Sequence, residues 1–85
     1  MTLNNWFVYI VEAENGHFYT GITTDLARRL SEHQSKHRGA RFFNTSAAKH
    51  IVYQEPHPDR SSASKREAAI KKMSRKTKIT LIDNQ

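Results

Sequence analysis

The chain has 85 residues, 36% of them hydrophobic, with 14 Lys plus Arg against 8 Asp plus Glu for a net charge of +6, and it has no cysteine. That length closes one small core, so a single domain over 1–85 is expected, without disulfides or cysteine–zinc centres. No run is long and apolar enough for a signal segment or a membrane span, which points to the cytoplasm, and the clustering of charge in 28–41, 65–78 and the Lys49-His50 step favours a polyanionic partner such as nucleic acid.

Trp6 to Val11 is apolar on both faces, as a strand in the middle of a covered sheet should be. Glu14-Asn15-Gly16 breaks it, and Phe18 to Ile22 returns as the second strand of a hairpin. Two registers are open. A two-residue Asn15-Gly16 turn pairs Tyr9 with Ile22 and sends Tyr9 and Tyr19 to opposite faces. A three-residue loop with Gly16 in the left-handed region pairs Tyr9 with Gly21 and Val11 with Tyr19, so that both phenols share a face. Thr23-Thr24-Asp25 offers an N-cap, and the spacing predicts a helix to about Lys36 with Leu26 and Leu30 inward, Arg29 and His33 at the edge of that stripe, and Arg28 pointing away. Residues 37–49 show no period and read as a long loop. Ile51-Val52-Tyr53 is a third strand and Glu55 to Asp59 a turn. A second helix runs from Ser61 to Met73 with Ala63, Ile70 and Met73 inward, and a third from Arg75 to about Ile82 with Ile79 and Ile82 packing down.

Along this order lie two phenols (Tyr9, Tyr19), a guanidinium (Arg29), an imidazole (His33) and one carboxylate on the second helix (Glu67). Together they offer proton-transfer groups, a phosphate clamp and a metal ligand, the set needed for metal-assisted phosphodiester cleavage. Taken singly, each tyrosine is also an ordinary strand residue. Glu67 also fits a capping box, since Ser64-Lys65-Arg66-Glu67 reads S-x-x-E. Arg38, Arg41, Phe42, Phe43, Lys49 and His50 mix cations with adjacent aromatics, suited to phosphate contacts and base stacking, although the phenylalanines would equally close the core beneath a loop. His17, His37, His50 and His57 have no ligand spacing and read as surface or groove residues.

Phe7-Val8-Tyr9 and Tyr19-Thr20-Gly21, followed by the Arg29-bearing helix, resemble the two tripeptides and the arginine of the GIY-YIG endonucleases, most closely their small, stand-alone, single-domain bacterial members. The resemblance covers nearly the whole chain. It implies an α/β fold of the α+β type, a three-stranded antiparallel sheet flanked by helices. It implies Tyr9, Tyr19, Arg29 and His33 as catalytic residues, Glu67 as the ligand of one magnesium or manganese ion, and a nucleic-acid partner, most readily DNA, met in repair or processing. Phe7 replaces the motif's first glycine, a change common in this subgroup. The asparagine that many family nucleases carry near the end of the domain has no counterpart in Met73 to Leu81, as is common in the small bacterial members, which implies weak activity or support from elsewhere, for instance from Lys72 or Lys76, which also offer phosphate contacts. No element is built to read base edges, so selection by shape is expected over selection by sequence. A non-catalytic nucleic-acid-binding module that keeps the fold is the alternative, and a protein-interaction domain in a repair complex a third, for which no large apolar patch speaks.

Overall fold

A computed structural model of the chain describes residues 5–35 and 46–85. The elements are β1 (Trp6–Ala13), β2 (Phe18–Thr23), α1 (Leu26–Gln34), β3 (Ala48–His57), α2 (Arg60–Lys71) and α3 (Arg75–Asp83). The strands form one antiparallel sheet in the order β2-β1-β3. The most apolar segment therefore takes the central place, and Val8 to Val11 are all buried. Among the described residues no helix is long and apolar enough to cross a membrane.

Each face of the sheet has its own core. On one, Val8, Ile10 and Tyr53 pack with Ala63 and Ile70 of α2, flanked by Trp6, Phe18, Ile22, Met73, Leu81 and Ile82. On the other, Tyr9, Val11 and Ala48 pack with Tyr19, Leu26, Leu30 and Ile51 beneath α1. Alternation along β1 thus divides its side chains between two helical layers.

The hairpin takes the three-residue loop. Gly16 has φ +88°, its N–H bonds the carbonyl of Ala13, and Ala13 N–H bonds the carbonyl of His17. Glycine reaches that φ without the Cβ clash that other residues meet. Tyr9 then pairs with Gly21 and Val11 with Tyr19.

Three readings of the sequence need correction. The third strand is far longer than Ile51 to Tyr53, and it absorbs both the end of the supposed loop and most of the supposed turn. Its pairing with β1 slips between Ile10 and Val11 and again between Glu12 and Ala13, and those irregularities break the alternation that marks a strand. Pro56 is accommodated because β3 lies at a sheet edge. Ile79 is exposed, and Leu81 packs in its place beside Ile82, which packs down as expected. The first turn of α3 is held by a different contact, the Arg75 guanidinium 4.6 Å from the Phe18 ring centroid and bonded to Gly16 O at 3.0 Å. His57, finally, is no surface histidine.

His57 belongs to a polar network between β3 and α2. Tyr53, Glu55 and His57 alternate onto the face that meets α2. The Tyr53 hydroxyl donates to Glu55 Oε1 at 2.6 Å, and His57 Nε2 lies 2.5 Å from Glu55 Oε2. Arg66 Nε reaches both carboxylate oxygens at 3.2 and 3.1 Å, and His57 Nδ1 lies 2.6 Å from Ser62 Oγ. Burial pulls the Glu55 carboxyl upward, but its bonds to Tyr53, His57 and Arg66 outweigh this and hold it below the usual carboxylate range. Burial raises the Tyr53 phenol, and the Glu55 charge raises it further.

Candidate active site

The hairpin register puts the Tyr9 and Tyr19 rings on one face with centroids 6.4 Å apart. The space above Gly21 is filled by Tyr9 itself, because a Cβ on Gly21 would lie 2.5 Å from Tyr9 Oη and 2.8 Å from its Cζ. Only glycine lets the phenol lie flat across β2.

Helix α1 covers this face. Its N-cap Asp25 accepts from Arg28 N–H at 3.0 Å, which sets where the helix begins and which residues face inward. It ends at Gln34 with Ser35 as C-cap, and Lys36 lies outside the described residues. The Arg28 side chain is 75% exposed and that of Arg29 31%, so the helix turns Arg29 toward the sheet and Arg28 to solvent. One turn on, His33 is only 2% exposed, deeper than the edge position expected, and its Nε2 lies 2.8 Å from Tyr9 Oη. Its ring centroid stands 5.0 Å from that of Tyr19, nearly edge-on.

Burial sets the charge states. Tyr9, 1% exposed, has its pKa pushed up to about 12 by desolvation, with the neighbouring Arg29 guanidinium offsetting part of the rise. His33 is pushed down to about 4, by desolvation first and by the Arg29 charge second. Both are therefore neutral near pH 7. Partial burial works against Arg29, but Glu32 and Tyr9 outweigh it and its pKa lies above the ordinary arginine value. Arg29 brings only donors to the phenol, and neutral His33 meets the same hydroxyl through Nε2, as donor or acceptor according to its tautomer.

Glu67 approaches from the other layer. It stands on α2 between the buried Ala63 and Ile70, its side chain 22% exposed, and its charge is felt at Tyr9, whose pKa it raises. The capping box with Ser64 does not form. Asp59 is the N-cap, accepting from Ser62 N–H at 2.8 Å, and Ser64 lies inside the helix. The Glu67 carboxylate instead meets Lys71 Nζ at 3.1 Å. Among the described residues no three His, Cys, Asp or Glu side chains stand together to hold an ion. One partly exposed carboxylate that already attracts a cation fits magnesium or manganese, which keep most of their waters, and suits zinc poorly.

Tyr9, Tyr19, Arg29 and His33 thus come together, with Glu67 close enough to act on Tyr9 electrostatically. Lys49, Lys72 and Lys76 are exposed, Lys49 on β3 rather than in a loop, Lys72 at the C-cap of α2 and Lys76 in α3. Arg38 and Arg41, with His37, Phe42 and Phe43, lie outside the described residues. Among the contacts that escaped the sequence reading are Glu32, whose Oε1 lies 2.9 Å from Arg29 Nη1 and whose Oε2 lies 3.4 Å from Arg28 Nε, and Lys71 on Glu67. Their i,i+3 and i,i+4 spacings were the available signal.

Residues 5–80 match the family model described as the GIY-YIG catalytic domain. A UPF0213 protein of Desulfotalea psychrophila is 52% identical over 77 residues, covering 91% of this chain and 70% of that protein. A UPF0213 protein of Pseudomonas aeruginosa is 46% identical over 77 residues, covering 91% and 73%. The solution NMR structure of a UPF0213 protein from Bacillus halodurans matches with a TM-score of 0.61 at 30% identity, over 95% of this chain and 85% of that one. The two tripeptides paired across the hairpin, the arginine helix and the carboxylate helix all fall within the matched span, and the chain belongs to the GIY-YIG family.

Proposed function

We propose that the protein hydrolyses phosphodiester bonds in nucleic acid, most readily DNA, with the help of one divalent cation. The observation that carries this reading is the gathering of Tyr9, Tyr19, His33 and Arg29 on one sheet face within the electrostatic reach of Glu67. When bound, magnesium or manganese would neutralise charge at the phosphate, with Glu67 as the carboxylate that holds it. Arg29 binds the non-bridging oxygens, where charge develops in the transition state, and Glu32 keeps the guanidinium aimed. Tyr19 is the more exposed phenol and meets the attacking water, while Tyr9 stands behind it, hydrogen-bonded to neutral His33, and holds the cluster in place. Lys49, Lys72 and Lys76, with Arg38 and Arg41, supply phosphate contacts along the surface.

The Lys71 ammonium on Glu67, together with the missing asparagine between Met73 and Leu81, favours a second reading, a nucleic-acid-binding module without catalysis. Incubating the protein with labelled duplex, single-stranded and branched DNA and with RNA, in magnesium, manganese or EDTA, separates the two. Metal-dependent cleavage is expected. Arg29→Ala should lower it by about 100-fold or more, the scale of losing one transition-state donor, and Arg28→Ala should leave it close to wild type. Glu67→Gln should bind nucleic acid normally and cleave it poorly. Binding without cleavage in every metal would establish the second reading, and cleavage surviving Arg29→Ala or EDTA would overturn the first.

A further inference from the structure

Helix α2 has little apolar grip on the sheet. Its fully buried residues are Ala63 and Ile70, one methyl group and one aliphatic chain, so hydrophobic contact alone resists rotation about the helix axis weakly. At about 100° per residue, Arg66 and Glu67 project about 50° to either side of that stripe. The strand order β2-β1-β3 places β3 on one flank and β2, which carries Tyr19 and Gly21, on the other. On the β3 flank the helix is held hard: Ser62 and Arg66, one turn apart, engage His57 and Glu55, and Glu55 takes Arg66 Nε on both oxygens while Tyr53 and His57 saturate the rest. On the opposite flank Glu67 has one ion pair within its own helix, to Lys71, which does not fix the helix against the sheet.

We infer that the Glu55-centred network sets the roll of α2 and so aims Glu67 at the tyrosine cluster, making Glu55 and Arg66 positioning residues for that carboxylate. The inference rests on Glu67 being the metal-holding carboxylate, as proposed above. Side chains that orient a ligand without touching the metal typically govern about 10-fold to 100-fold of its affinity.

The test measures manganese affinity from the free-ion electron paramagnetic resonance signal, without nucleic acid, beside thermal melting, for wild type, Glu67→Gln, Glu55→Gln, Arg66→Met, Arg66→Lys and Ile70→Val. Glu67→Gln should lose the site. Glu55→Gln and Arg66→Met should stay folded and bind manganese about 10-fold more weakly, and Arg66→Lys, which keeps the charge without the two-oxygen contact, should show a smaller loss in the same direction. The sign for Arg66→Met is decisive, since removing a cation near the site would by Coulomb's law alone tighten metal binding. Ile70→Val thins the core under the same helix without touching the network, so it should melt lower and bind as wild type. Wild-type affinity in Glu67→Gln would defeat the metal reading and this inference with it. Loss in Glu67→Gln with wild-type affinity in the Glu55 and Arg66 variants would overturn the inference alone. So would an equal loss in Ile70→Val, which would assign the effect to stability. Should Glu55→Gln or Arg66→Met fail to fold, Arg66→Lys against Ile70→Val decides by the same comparison.

Discussion

His33 carries the sharpest consequence at the scale of single residues. Its pKa stands at about 4 in the fold against an ordinary 6.5, so the unfolded chain takes up a proton first as the pH falls. The stability this represents is present above pH 6.5 and is lost as the pH drops toward 4. At 1.36 kcal/mol per unit it amounts to about 3 kcal/mol at most. Urea melts of wild type and His33→Gln at pH 7 and pH 4.5 should show the variant losing distinctly less stability between the two, and parallel losses would mean that His33 is not buried neutral. Gly21→Ala should cost about 1–3 kcal/mol, the scale of overpacking a filled site, because its methyl group would overlap the Tyr9 phenol; thermal melting reads it directly. The spacing of Tyr9, Tyr19, Arg29 and His33 was legible as residue types in sequence. The depth of Tyr9 and His33 was not, since it depends on α1 closing over the sheet face, and no local pattern reports how far one layer covers another.

Among the elements, the start of α2 shows why a motif and its geometry must agree. Ser64 and Glu67 have capping-box spacing, yet the chain reaches helical geometry at Arg60, where Asp59 is already in place to accept from Ser62 N–H. Asp59→Ala should destabilise by about 1 kcal/mol, as losing an N-cap does, and Ser64→Ala should leave the melting temperature nearly unchanged; the reverse order would restore the capping role of Ser64. The helices were readable from their period, the first strand from its continuous apolar run and the second from the turn residues before it. β3 was not, because two slips in its pairing shift which side chains face which layer, and Glu55 and His57 have the composition of a turn while serving as strand residues bonded to α2.

For the whole molecule, the +6 charge and the expectation that no element reads base edges lead to one prediction. Nucleic-acid affinity should fall steeply with salt and depend little on sequence. A plot of log K against log salt should have a slope of about −0.9 for each phosphate contacted on duplex DNA. Binding titrations at several salt concentrations on unrelated sequences of equal length measure both properties, and a flat dependence would assign the charge to solubility instead.

The three residues between β1 and β2 also have an arithmetic character. Because successive strand residues face opposite layers, the hairpin conserves the parity of its loop rather than its identity. Removing one residue from Glu14-Asn15-Gly16 would send Tyr19 toward α2 and bring Phe18, Thr20 and Ile22 under α1, emptying one core and crowding the other in a single step. Adding two residues would lengthen the connection and leave every side chain on its own side. Chain-length change at this turn is therefore tolerated only in even steps.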